Sequence, residues 1–208
     1  GLALSNQGDI DTQAIAGSIA TATHGSGIRL PNFSATLVGG RFVDGLGNVV
    51  EVSAEQNGDV LPALQTSLGL LGLMTRLTIQ VAPAYELHAR HLLLPYDALM
   101  ERFDEFVNDY RSFSFFWLPS DASAALYCLD KGQADDCVVK LFNEAAPDTP
   151  RSGLPENERI DRSYRIYPMH YDPNFHEMEY FLPIQDAREI IAEMRKLMRR
   201  WMPLSVYP

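Results

Sequence analysis

Cysteine is scarce in this sequence of 208 residues: Cys128 and Cys137 are the only two. So low a count, without paired metal-ligand spacing, excludes a disulfide-stapled scaffold and a cysteine zinc site. The polar stretch 130–136 between them could face the two across a hairpin, but two half-buried thiols in a reducing compartment are the expected state. Long apolar runs are missing too, since none reaches the roughly 18 residues that a helical membrane span needs. Positive charge is short, with 17 Lys and Arg against 27 Asp and Glu and a formal net charge of -10, a balance that repels nucleic acid and anionic membrane. Arg195, Lys196, Arg199 and Arg200 form the one basic cluster, on a late amphipathic helix. No cationic, apolar leader opens the chain, and the expected compartment is the cytoplasm. Because the sequence opens on Gly1 and not on Met, export and membrane association stay open.

What is present is ordinary for a globular chain able to bury one large core or two small ones: 46% hydrophobic and 21% charged residues. The stretch Gly17-Ser18-Ile19-Ala20-Thr21-Ala22-Thr23-His24-Gly25-Ser26-Gly27 stands out. It sets glycines, which let a backbone approach a ligand, among hydroxyls able to donate to anionic oxygen, with little bulk. A phosphate suits that chemistry; a bland surface loop has the same composition. His24 as a general base or metal ligand has no nearby cysteine to support it, and Ser18 lacks a Gly-x-Ser-x-Gly elbow.

Farther on, residues 34–38 and 41–43 alternate weakly, 44–48 carry a hairpin signal and 49–52 read as a short strand. Asn57-Gly58-Asp59 is expected to cap a helix with Val60, Leu61, Leu64 and Leu68 on one face, and residues 73–81 form a strand. Pro83 marks a boundary. Beyond it the pattern predicts a strand over 86–94, a helix with Leu99, Met100, Phe103, Phe106, Val107 and Tyr110 on one face, strands over 113–118, 124–129 and 138–142, an exposed loop over 143–160 and a helix over 185–202. That order suggests an antiparallel sheet with helices on one face. His88 and His91, three apart on a strand, point to opposite faces and do not form a metal pair, so no metal site is expected. Glu177 and Glu179 would share one side of a strand.

The stretch 17–27 with its approach Gly8-Asp9-Ile10-Asp11-Thr12-Gln13-Ala14-Ile15-Ala16 resembles the flavin-binding segment of the vanillyl-alcohol oxidase type FAD family, in its sugar-lactone and alditol oxidase branch. The turn at 68–75 is similar to that family's Leu-Gly-x-Leu-Gly-x-x-Thr, and Met178-Glu179-Tyr180 through Pro183 to its Met-Glu-Tyr-x-x-Pro cap strand. The resemblance implies an α+β fold: residues 1–83 as the C-terminal part of an FAD-binding domain, and 84–208 as part of an antiparallel cap, or substrate, domain with helices on one face. It implies that the chain is an internal piece of a longer enzyme, inactive alone. The Gly-Gly-His-Ser-like diphosphate loop, and any covalent histidyl link to FAD, would lie before it; the Glu-x-Arg pair that handles substrate would lie beyond Pro208, leaving the catalytic residues unknown here.

The cofactor-binding positions carried over are Asp9, Gly17, Thr21, Ala22, Thr23, His24, Gly25 and Met74, with Glu179 as a substrate-side candidate. Ala14 and Ala22 depart from the pattern, standing where relatives often have a hydroxyl residue and a glycine. The implied activity is oxidation of a carbinol carbon of a sugar lactone or polyol, with FAD reoxidised by O2 or another acceptor. An oxygen-independent FAD dehydrogenase of lipid-linked sugars and a non-catalytic binding domain are the alternatives. A small-molecule sugar substrate is the expected partner; nucleic acid is not.

Overall fold

The computed structural model describes residues 1–129, 134–169 and 178–201. Its described residues fall into two compact units, one of 1–88, 144–151 and 160–169, the other of 89–129, 134–143, 152–159 and 178–201. The chain thus leaves the first unit between His88 and Ala89, within a strand, and re-enters it twice.

In the first unit, β1 (Leu2–Ala3) is followed by helix α1 (Ile15–Ala20), the hairpin β2 (Leu37–Val43) and β3 (Val49–Val52), helix α2 (Leu61–Gln65), β4 (Leu73–Ile79) and β5 (Ala82–Pro83). β1 pairs antiparallel with β5, and β2 lies between β3 and β4 in a three-stranded antiparallel sheet. The hairpin turns where Asp44 accepts from the backbone N–H groups of Leu46 (2.9 Å) and Asn48 (2.8 Å), a side chain mimicking a backbone turn. Apolar residues on the inner side of α1, the sheet and α2 make the core: Ile19, Leu37, Phe42, Val52 and Leu64, each at most 5% exposed. Burying side chains of that size stabilises by about 1.5–3 kcal/mol each relative to exposure.

Next come β6 (Glu86–Pro95), α3 (Tyr96–Glu101), α4 (Phe103–Asp109), β7 (Ser112–Trp117), α5 (Asp121–Leu126), β8 (Asp136–Glu144), β9 (Glu158–Arg162), α6 (Ser163–Ile166) and α7 (Ala187–Trp201). The strands form one sheet in the order β7-β8-β6-β9. Alternation decides its faces: Phe113, Phe115 and Trp117 pair across β7 and β8 with Leu141, Val139 and Cys137 and join Tyr96, Leu99 and Phe106 in the second core. Helix α7 buries no residue fully and is tethered by charge. Asp135 accepts from Arg195 Nε (2.6 Å) and Trp117 Nε1 (2.9 Å) and pairs with Arg199 (2.7 Å), while the Arg195 guanidinium lies over the Tyr96 ring at 4.1 Å.

Several sequence expectations are corrected. Residues 17–20 of the glycine-rich stretch belong to helix α1, not to a loop. The stretch read as a strand over 124–129 is helix through Leu126, because Ser120 and Ser123 form a reciprocal capping box ahead of an alanine-rich turn. The long helix after Pro95 is two helices that break at Arg102. Asn57 does not cap its helix: its amide donates to the Glu51 carbonyl, Gly58–Val60 is a 3-10 turn, and Leu68, at φ 49°, lies past the helix end. Residues 178–183 form no strand and leave Met178, Tyr180 and Phe181 exposed. Glu177 lies outside the described residues, so the paired-glutamate expectation is carried by Glu179 alone. Both cysteines are free, Cys128 exposed and Cys137 buried, so neither is half-buried.

Candidate functional site

The site region begins with one helix end. Ala14 is the N-cap of α1 and offers no side-chain hydrogen bond, where a hydroxyl residue would cap the helix. Inside α1 the Ser18 hydroxyl stands 3.2 Å from the Ala14 carbonyl oxygen and 3.3 Å from Gln13 Oε1, so its one proton serves the helix start. At the other end the N–H groups of Thr21, Ala22 and Thr23 donate to the carbonyls of Gly17, Ile19 and Ser18, and the Thr21 hydroxyl also donates to Gly17 (2.9 Å). These donors close the last turn of the helix. Thr23 Oγ1 is 3.5 Å from Thr21 Oγ1, and Ala22 takes φ 58°, the left-handed conformation that a glycine adopts without strain.

Segment 6–8 lies directly against 24–25. Asn6, 3% exposed, accepts from the Gln7 backbone N–H (3.0 Å) and donates to the Pro31 carbonyl (3.3 Å). Gly25 admits this segment, since a Cβ there would overlap the Gln7 carbonyl oxygen. Gly17 differs: a Cβ on it would meet nothing within 4 Å, so its exposed face is open to a ligand. His24 is half-buried, with Nδ1 3.0 Å from the Gly25 carbonyl oxygen, where it donates and leaves Nε2 as the second ring nitrogen.

A cleft of about 260 Å³ opens beside α1 within the first unit. Leu4, Ile10, Ile15, Phe33, Tyr164 and Pro168 supply its apolar walls, and Gln7, Asp11, Gln13 and Ser18 its polar groups. The Asp9 carbonyl accepts from Met169 N (2.8 Å), which holds the α6 region against this wall. Ser18 of the singled-out stretch and several residues of its approach 8–16 line the cleft, but none of the carried-over cofactor positions does; Asp9 and Gly17 flank lining residues in the chain. Met74 lies in β4 opposite Phe42 and packs on the first core, and Glu179 is exposed in an irregular stretch. Sequence reasoning missed Gln7, Phe33 and Tyr164 and gave Gln13, inside the quoted approach, no role. A lone glutamine carries no motif, and Tyr164 reaches the cleft only by tertiary folding. Among the described residues no group of three or more His, Cys, Asp or Glu could hold a metal ion.

The residues present fit part of an FAD. Apolar walls with a few polar groups suit a flat ring, and the cleft, at about 260 Å³, is smaller than the roughly 300–1,000 Å³ of cavities that enclose a whole ligand. Gln7, one of the lining residues, has a buried side-chain carbonyl oxygen without a hydrogen-bond partner.

No family model matches the chain. It is 31% identical over 225 residues to L-gulono-1,4-lactone dehydrogenase of Mycobacterium tuberculosis, an alignment covering 96% of this chain and 52% of that protein. D-arabinono-1,4-lactone oxidase of Eremothecium gossypii is 32% identical over 119 residues, 57% of this chain and 22% of the relative. L-gulonolactone oxidase of Scyliorhinus torazame is 29% identical over 131 residues, 63% of this chain and 30% of the relative. The chain therefore spans about half the length of the mycobacterial relative and less of the others. Cholesterol oxidase of Brevibacterium sterolicum superimposes with a TM-score of 0.58 over 72% of this chain and 29% of that one, at 16% identity, a likeness of fold alone. In sequence the chain is similar to part of the sugar-1,4-lactone dehydrogenases and oxidases, and in fold it is a mixture of helices and antiparallel sheet like that of cholesterol oxidase.

Proposed function

We propose that this chain is part of an FAD-dependent oxidoreductase that oxidises a carbinol carbon of a sugar lactone. The observation that carries the reading is the 31% identity sustained over 96% of the chain to a lactone dehydrogenase. A bound flavin would supply a hydride acceptor for the carbinol carbon and a route for the electrons to O2 or another acceptor. Residues 1–83, joined by the returning segment that carries Tyr164 and Pro168, act in the FAD-binding domain and the rest of 84–208 in the substrate domain. The open face at Gly17 and the turn of Thr21, Ala22, Thr23, His24 and Gly25 lie along the cofactor, with Asp9 toward the ring and the Met74 backbone toward the adenine side.

In this reading the chain's own residues bind and orient. Gly17 leaves space for close approach, and the Asn6–Gly25 contact fixes the spacing of the two segments that frame the cleft. His24, held through Nδ1 by the Gly25 carbonyl, presents a fixed ring edge. Ile10, Ile15 and Phe33 exclude water from the ring faces, which strengthens any polar contact made there. Glu179 stands on the substrate side. The gene product containing this chain is the material for the test: a visible flavin band that bleaches anaerobically on adding L-gulono-1,4-lactone supports the reading, and a flavin-free, folded protein refutes it.

A further inference from the structure

Helix α7 turns its charged side inward. Arg188 pairs with Asp104 (2.9 Å), Arg195 and Arg199 pair with Asp135, and Ile191 packs on the second core. At about 100° per residue, Ile190, Met194, Leu197 and Trp201 fall on the other side of the helix, spaced as one apolar stripe. Met194, Leu197 and Trp201 are 51%, 50% and 67% exposed. A contiguous apolar stripe of this kind is costly to leave in water and marks a surface that something covers.

The charges beside the stripe say what covers it. Glu189, Glu193, Lys196 and Arg200 are exposed and lie along one border of it, acidic in the first half of the helix and basic in the second. Within one chain Lys196 pairs with Glu193 (2.6 Å), and the Arg200 guanidinium lies over the neighbouring Trp201 ring at 4.7 Å. Such a helix is complementary to itself when turned end for end. In an antiparallel pair about a two-fold axis, Met194 of one helix meets Leu197 of the other, Ile190 meets Trp201, and the charged border faces its own copy. Glu189 then comes opposite Arg200 and Glu193 opposite Lys196, each pairing made twice. A parallel pair would set glutamate against glutamate. An anionic membrane fits less well, because both glutamates on the border would face its headgroups.

We propose that a second copy of this chain covers the stripe, the two α7 helices packing antiparallel across a two-fold axis. The contact uses the same patch on both copies and therefore closes at two. One helix face makes a small interface, so the dimer is reversible and depends on concentration. The basic cluster at the end of α7 is thereby divided: Arg195 and Arg199 hold the helix to its own unit, while Lys196 and Arg200 serve the partner. None of this depends on the flavin reading.

The experiment is sedimentation velocity of the gene product over a concentration series, with circular dichroism checking that each variant is folded. Wild type should pass from monomer to dimer as concentration rises. Leu197→Glu places a carboxylate at the centre of the stripe, leaves the inward arginines untouched, and should stay monomeric throughout. Glu193→Lys sets like charges against each other in both symmetric pairings and should weaken the dimer about tenfold. Adding Lys196→Glu to that variant restores opposite charges and should recover most of the loss, which apolar stickiness alone would not do. A gene product that is monomeric at every concentration would overturn the proposal, its stripe being bare or covered by its own polypeptide. So would a dimer that survives Leu197→Glu, a double variant no tighter than Glu193→Lys alone, or cosedimentation with phosphatidylserine vesicles that Leu197→Glu abolishes.

Discussion

The carbonyl oxygen of Gln7 occupies the space where a side chain on Gly25 would stand, and Asn6 Oδ1 lies 2.6 Å from the same point. A glycine-rich stretch that reads as a ligand cradle is thus also a packing surface for its own chain. Gly25→Ala must push back a backbone, and overpacking of this kind costs about 1–3 kcal/mol. The expected result is a lower urea midpoint at unchanged m-value.

Gly17 gives the opposite outcome. It sits in α1 with open space where a Cβ would go, so Gly17→Ala should stabilise the fold by about 0.5–1 kcal/mol, the helix-propensity difference. If that open face borders the cofactor, the same variant of the gene product should retain less flavin. Greater stability together with wild-type flavin content would mean that the face is merely solvent.

A hydroxyl at the uncapped start of α1 should help. Ala14→Ser supplies a capping acceptor to the first-turn N–H groups, worth about 1 kcal/mol, read as a shift in the denaturation midpoint. No change would mean that the helix start is held from elsewhere.

These outcomes show what the sequence disclosed and what it hid. The strands 49–52 and 73–79 were legible because β-prone residues and the Asp44 turn agree with the sheet that forms, whereas 34–38 and 41–43, read as two pieces, are one strand over 37–43 entered through a 3-10 turn at Ser34–Thr36. Residues 124–126 were not, because two alanines and a leucine fit either structure and the Ser120–Ser123 box settles the matter through local hydrogen bonds. At the site, the neighbourhood of Gly17 was legible as composition. Its partners Gln7 and Tyr164 were not, since a contact between Asp9 and Met169 that closes 160 residues of chain leaves no local pattern.

Asp135 is the group by which acid should loosen α7. Burial pushes its carboxyl up, but hydrogen bonds from Arg195 and Trp117 and the charges of Arg195 and Arg199 outweigh that and hold it below the usual carboxylate value. A depressed folded value means that this stabilisation is fully present above the unfolded pKa, near about 4, and is lost as pH falls through the folded value. Asp135→Asn keeps a residue suited to φ 78° and an acceptor for Trp117 but removes the charge. It should speed hydrogen exchange across residues 187–201 at neutral pH, with a local loss of about 1–3 kcal/mol, and flatten the acid dependence. Unchanged exchange would place the hold on α7 elsewhere.

The two thiols should separate cleanly. Burial pushes Cys137 up to about 12, with Asp135 and Asp136 adding to it, whereas Cys128 is exposed. A disulfide-exchange reagent at neutral pH should titrate one thiol in the folded chain and two after denaturation. Two reactive thiols in the folded chain, or none, would contradict the packing described.

The central claim is that residues 1–208 serve a flavin that takes a hydride from a sugar lactone, and anaerobic spectroscopy of the gene product tests it most directly. Adding L-gulono-1,4-lactone should bleach a visible flavin band in proportion to lactone, and the band should return on admitting an electron acceptor. A folded gene product that carries no flavin, or a flavin that no sugar lactone reduces, would contradict the account.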